Sequence, residues 1–282
     1  MKWVIGLDLR PRGSGALQFA RWMAERAASV ELEGVHVLED SKLLQLLRRD
    51  HGDIEAVANR RVRETAEQAG LADLSTRVVR SSSIDGRLVE EVQGMRADGL
   101  IVGRQGRADE TALVRLGRVS RRLLRQLPVP IVMAPPELEH VGEGPVLLAT
   151  DLQPASSAAA RFAKRVAGVL DRPILVAHIV HSGTDTSDLV PAVTVEQFYR
   201  QMGLDREHDL HGWMREHALV DVPAVVGEGD VISRLLGIAS EERAPLIVCG
   251  SRRLGAAERL FTSSVATELT RHAPCAVAVV GD

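Results

Sequence analysis

Short apolar runs alternate with longer amphipathic stretches along this chain, and the alternation happens twice. Leu246–Cys249 is an apolar run ended by Gly250, as suits a strand buried on both faces. A loop rich in Arg and small residues follows, Ser263-Ser264 opens a helix carrying Val265, Leu269 and His272, Pro274 stops it, and Cys275–Val280 is a second apolar run. Leu100–Met133 has the same order of parts: an apolar run ending in Gly103, an Arg-rich loop, a helix from about Gly117 to Gln126, a Pro stop and an apolar run. An internal repeat sets the frame for everything else.

Upstream of each stretch the pattern also recurs. Lys2–Asp8 reads as a first strand, Ala16–Ala28 as a helix capped by Ser14, and Glu31–Leu38 as a second strand. Asp53–Ala69 reads as a surface helix, Ser75–Ser82 as a third strand, and Gly86–Arg96 as a helix capped by Asp85. In the second copy Pro145–Asp151, Pro154–Leu170 and Pro173–Val180 match the first three elements, and Val195–His217, Val222–Gly227 and Asp230–Glu242 complete the series. Asp151 stands 143 positions after Asp8, and His178 stands 142 after His36. Domains at 1–135 and 145–282 follow, with 136–144 as a linker of turn and breaker residues.

Strand alternating with helix, five strands per copy, predicts an α/β fold of two tandem doubly wound parallel-sheet domains. Ligands of such sheets sit beyond the carboxyl ends of the strands where strand order switches, here between strands one and four. Asp8 and Gly103 lie at such ends in copy one, and Asp151 and Gly250 in copy two.

Composition narrows the function. Aromatics are only 3%, so the core is built of Val, Leu, Ile and Ala. A net charge of -3 gives no reason to expect nucleic acid. No run of 18 apolar residues suggests a membrane span, and Asp8 interrupts what would be the apolar segment of a leader, so a cytoplasmic location is expected. Cys249 and Cys275 read as buried thiols. There is no Gly-x-x-x-x-Gly-Lys-Ser/Thr loop, no Gly-x-Ser-x-Gly elbow and no His-Glu-x-x-His helix, so no catalytic residue is assigned. His208, His211 and Asp205 share a helix face, but zinc wants three or four ligands, and they read as surface residues. No metal centre is expected, and magnesium enters only as a companion of nucleotide.

A strand ending in Gly, then two residues, Gly, nine residues, Gly and Ser or Thr resembles the nucleotide loop of universal stress proteins. The resemblance covers nearly the whole chain twice, as in tandem members of that family. It implies an adenine nucleotide alpha hydrolase-like fold, ATP or a related adenine nucleotide (AMP or ADP) as ligand, and a stress-linked regulator rather than an enzyme. Copy one has Gly103, Gly106, Gly117 and Arg118, with ten residues between the second and third glycines and Arg118 in place of the hydroxyl. Arg104, Arg107, Arg115 and Arg118 make this loop basic, either to fork onto phosphate or as solvated loop residues. Copy two keeps the nine-residue spacing and Ser264, but Arg253 and Ser263 replace glycines. It is either a second site or a degenerate copy that keeps only the fold.

By the same resemblance Asp8 and Asp151 contact the nucleoside, against the plainer reading of both as helix caps or turn formers. Backbone at Val37 and Ile179 meets adenine, and Val119 and Val265 follow the hydroxyl positions. Pro130–Ala134 and Cys275–Val280 pair antiparallel across a pseudo-twofold, so one chain mimics a dimer, and a further homodimer or an unknown protein partner stays open. A nucleotide-free interaction module and a slow ATPase are the alternatives.

Overall fold

The computed structural model describes residues 1–9, 14–40, 53–104, 116–136, 138, 140–181, 205–251 and 265–281. Copy one runs β1 (Lys2–Gly6), α1 (Ser14–Arg26), β2 (Glu31–Glu39), α2 (Ile54–Gln68), β3 (Ser75–Ser81), α3 (Ile84–Gly94), β4 (Gly99–Gly103), α4 (Arg118–Gln126) and β5 (Ile131–Ala134). Copy two runs β6 (Val146–Ala149), α5 (Pro154–Val169), β7 (Ile174–Val180), α6 (205–216), β8 (Ala224–Glu228), α7 (Val231–Glu241), β9 (Leu246–Ser251), α8 (Val265–His272) and β10 (Ala276–Gly281). The predicted start of α6 at Val195 lies outside the described residues.

The strands form one ten-stranded sheet in the order β3-β2-β1-β4-β5-β10-β9-β6-β7-β8. All neighbours are parallel except the central pair, where Met133, Val132 and Ile131 face Val277, Ala278 and Val279 antiparallel. The predicted edge-to-edge pairing of the fifth strands is therefore what joins the copies. It removes two exposed strand edges at once. Burial follows strand position. The central strands β4, β5, β6, β9 and β10 are buried along nearly their whole length, while the outermost β3 and β8 alternate or lie open. Each fully buried Val, Leu or Ile contributes about 1.5–3 kcal/mol relative to exposure.

Helices cover both faces, and each core spans both copies. One face joins Leu17, Phe19 and Met23 of α1 to Ala159, Phe162 and Val166 of α5; the other joins residues of α3 and α4 to residues of α7 and α8. Alanines let α5 lie close on the sheet, and Pro154 opens it at a position where no N–H is needed. Trp3 of copy one meets Phe162 of copy two edge-on at 6.1 Å. A Cβ at Gly99 would come within 2.2 Å of the Trp3 ring, so glycine at 99 makes room for the indole.

The linker is held at both ends. Gly15 lies against the Pro135 carbonyl, where a Cβ would approach to 1.7 Å, and Gly144 donates to the Arg243 carbonyl at 3.0 Å. Glu143 takes Arg26 of copy one on one oxygen and Arg172 of copy two on the other, the latter at 2.9 Å. Arg26 also stacks over Trp22 at 4.6 Å.

Two predicted caps are corrected. Ser83, not Asp85, caps α3, accepting from the Gly86 N–H at 3.3 Å. Asp85 lies buried in the first turn and pairs with Arg122 of α4 at 3.3 Å. Ser14 is the first residue of α1, and its hydroxyl donates to the Pro136 carbonyl at 3.3 Å.

Candidate functional site

The strand order places the switch of each copy where sequence reasoning expects it. β1 lies between β2 and β4, and β6 between β7 and β9. Over the carboxyl ends of β1, β2 and β4 opens a cavity of about 550 Å³, within the range of small-ligand sites. Its walls are apolar: Leu7 and Leu9 after β1, Val35 and Val37 of β2, Ile54 of α2, Ile84 and Leu88 of α3, Val102 of β4 and Val119 of α4. Its polar groups are Asp8, His36, Glu39, Arg118 and Ser120.

Asp8, Val37, Gly103, Gly117, Arg118 and Val119 all line this one cavity, although they come from four separate segments. Gly106 lies outside the described residues, as do Ser263 and Ser264 of copy two. Gly117 caps α4 through its backbone, with no side-chain cap, and the first bond of the helix runs from the Arg121 N–H to the Gly117 carbonyl at 3.1 Å. The N–H groups of the first turn are thus left without intrahelical partners at the cavity wall, beside the positive end of the helix dipole.

His36 is fixed by the fold. Its Nδ1 donates to the Leu7 carbonyl at 2.9 Å, and His178 repeats the bond to the Thr150 carbonyl at 2.9 Å. A carbonyl can only accept, so Nδ1 carries the proton in both rings. These bonds lock the second strand to the turn that presents Asp8 or Asp151.

Arginine use departs from expectation. Arg104 does not line the cavity. Its guanidinium crosses to copy two and donates to the carbonyls of Thr270 and Ala273 at 3.0 and 3.2 Å, capping the carboxyl end of α8. Burial there lowers its pKa from the usual value. Arg118 reaches across the rim to Glu39 at 3.3 Å. Arg107 and Arg115 lie outside the described residues. Of the arginines predicted for phosphate, the described ones already have protein partners.

In copy two, Asp151 supports the plainer of its two readings. Its carboxylate accepts from the Ser156 hydroxyl at 2.7 Å and the Gln153 N–H at 3.1 Å, a turn arrangement just before α5. Gly250 lies against that same turn, where a Cβ would sit 2.6 Å from the Ala155 carbonyl oxygen. Helix packing is thus a sufficient reason for glycine at 250. Ile179 is buried in β7, and Val265 is the first residue of α8 and exposed.

Sequence reasoning missed Glu39 and the apolar walls from α2 and α3. A signal for Glu39 was present. Residues of a strand alternate between faces, so Glu39 shares the face of Val35 and Val37 at the end of β2. Among the described residues no three His, Cys, Asp or Glu side chains gather to hold a metal ion. No helix among them is long and apolar enough to cross a membrane.

The profile of the universal stress protein family matches residues 1–135 and again 144–281. The chain belongs to the universal stress protein family. It is a tandem member, with two copies of the family unit in one polypeptide. No curated protein sequence matches. Among solved structures, a functionally unknown protein from Pseudomonas aeruginosa is 17% identical, with 99% of this chain and 92% of that one covered and a TM-score of 0.69. A universal stress protein from Archaeoglobus fulgidus is 18% identical, with 99% and 98% covered and a TM-score of 0.61. At such identities the likeness speaks for the fold of this tandem universal stress protein, and its ligand has to be argued from its own residues.

Proposed function

We propose that this tandem universal stress protein binds an adenine nucleotide, ATP or its relatives ADP and AMP, in copy one and acts as a non-catalytic regulator. One observation carries the reading: six predicted contact residues from four separate segments line a single cavity at the strand switch, beside the amino end of α4. The apolar walls suit a purine, Asp8 suits a ribose hydroxyl, and the first-turn N–H groups of α4 suit a phosphate. His36 holds the Leu7 turn and so positions Asp8. No lysine is among the described residues of the cavity to stabilise phosphoryl transfer, which favours a binding role over hydrolysis.

Copy two is read as a scaffold. The close packing at Gly250 favours the degenerate alternative over a second site. Domain limits at 1–135 and 145–282 accompany this proposal. The interaction-module reading keeps its place for copy two, which supplies half of the central strand pair.

Equilibrium dialysis of the purified chain with ATP, ADP and AMP, with and without magnesium, tests the proposal. Near one nucleotide per chain, lost in Gly103→Val, supports it. No binding of any of the three returns both copies to the interaction-module reading. Phosphate release that persists above a Gly117→Val control would move the protein to the slow ATPases.

A further inference from the structure

We infer that Asp85 is a positioning residue for the copy-one site: through Arg122 and Gln126 it holds α4 in place, and so sets where the amino end of that helix meets a phosphate. The inference rests on the nucleotide reading above and adds to it a residue that does not itself line the cavity.

Two helices meet at this end of the cavity. Ile84 and Leu88 of α3 form one wall, and Gly117, Arg118, Val119 and Ser120 bring the amino end of α4 to it. The helices are anchored unequally. α3 buries Leu88 and Val92 and is capped by the Ser83 side chain, whereas α4 has nine residues, buries Ser120 and Leu123, and has no side-chain cap. Asp85 ties the second helix to the first. Its side chain is only 8% exposed. One oxygen accepts from Arg122 at 3.3 Å and from the Ser83 hydroxyl at 3.3 Å, and the Gln126 amide comes to the other at 3.5 Å. Arg122 lies four residues after Arg118 and Gln126 four further on, so both grips fall on one face of α4. A buried carboxylate that takes hold at two successive turns fixes the height and the rotation of the helix. The first-turn N–H groups of α4 can meet an anion only where that placement puts them.

In copy two the same pair of helices packs without this clamp. Leu123 and Leu269, both fully buried, align α4 with α8, and the capping residues Ser83 and Asp230 align α3 with α7. By that alignment Ile232 stands where Asp85 stands, and Glu268 where Arg122 stands. Glu268 pairs within its own helix instead, with Arg271 at 2.8 Å, and Ile232 packs against the core of that face. An aliphatic residue is thus enough to close the fold at this place. Burying a carboxylate beside arginine carries a desolvation cost that isoleucine avoids, so the clamp gains little stability over the copy-two solution. What it adds is direction, and it adds it in the copy whose α4 reaches the cavity.

The test measures dissociation constants of adenosine and AMP for the intact chain, Asp85→Ala, Arg122→Gln and the double variant. The Arg122 side chain is 43% exposed, so Arg122→Gln breaks the clamp from the surface side and leaves the core filled. Each single substitution is expected to weaken AMP about tenfold and to leave adenosine within about twofold, because only the phosphate uses the amino end of α4. The double variant is expected to lose no more than either single one, as for two halves of one contact. Equal losses for adenosine and AMP would make Asp85 a residue of the fold alone and overturn the inference. Unchanged AMP overturns it too, and so does tighter AMP in Asp85→Ala, which would make the freed Arg122 a direct phosphate ligand. An intact chain that binds neither compound removes the nucleotide reading and this inference with it. An intact chain that binds both, with variants that follow none of the expected losses, removes the inference alone.

Discussion

Asp8 and Asp151 occupy the same place at the end of a first strand and have different surroundings. Asp8 lines a cavity, while Asp151 is held by the Ser156 hydroxyl and the Gln153 N–H. Asp151→Ala should therefore cost about 1 kcal/mol of stability, the usual value of a lost side-chain hydrogen bond. Urea unfolding checks this, and bound nucleotide per chain should not change. Gly250→Val makes a poor binding control, because its side chain would strike the Ala155 carbonyl and disturb folding. The two thiols make a second residue-scale case. Burial pushes the pKa of Cys249 and of Cys275 up to about 12. Neither should react with a disulfide reagent at pH 8 in the native protein, and both should react in denaturant. Rapid labelling of the folded chain would contradict the packing around β9 and β10. At this scale the sequence made Asp8, Val37 and Gly103 legible through strand-end position. It could not separate Asp8 from Asp151, because a strand-end position does not encode the surroundings that the fold builds around it.

Elements were the most legible level. The apolar runs at Leu100–Gly103 and Leu246–Cys249 are central strands, and only a strand buried on both faces tolerates so continuous a run. Helix starts were less legible, since Ser83 and Asp85 are both good cap residues and only geometry separates them. Arg104 was illegible in direction. Its partners are 166 and 169 residues away, across a boundary between copies that local pattern does not encode. Arg104→Ala should leave the last turn of α8 without a cap and cost about 1–3 kcal/mol, as expected when a charged donor to carbonyls is removed. Chemical denaturation reads the loss, and hydrogen exchange should place the added opening in α8 and the neighbouring end of β4. Wild-type protection there in the variant would mean the contact adds little.

Across the whole molecule, two cores run under both copies and one sheet passes through them. The copies should therefore unfold together. Single-tryptophan variants that retain Trp22 in copy one or Trp213 in copy two should report coincident denaturant transitions. Separated transitions would show that the central strand pair couples the halves weakly. Glu143 adds a pH dependence. Its hydrogen bond with Arg26, aided by the charges of Arg26 and Arg172, lowers its pKa below the ordinary carboxylate value. A lowered native pKa stabilises the fold above the unfolded-state value, and the gain disappears as pH falls through the native one. The gap in stability between wild type and Glu143→Gln should accordingly be open at neutral pH and close on acidification.

On the proposed reading one ligand site serves the pair of copies, and it lies in copy one. Counting bound adenine nucleotide per chain at saturation, by equilibrium dialysis on wild type, Gly103→Val and Asp151→Ala, tests this. Near one is expected for wild type and Asp151→Ala, and none for Gly103→Val. A count near two, or a count of one that survives Gly103→Val and vanishes in a folded Asp151→Ala, would contradict it.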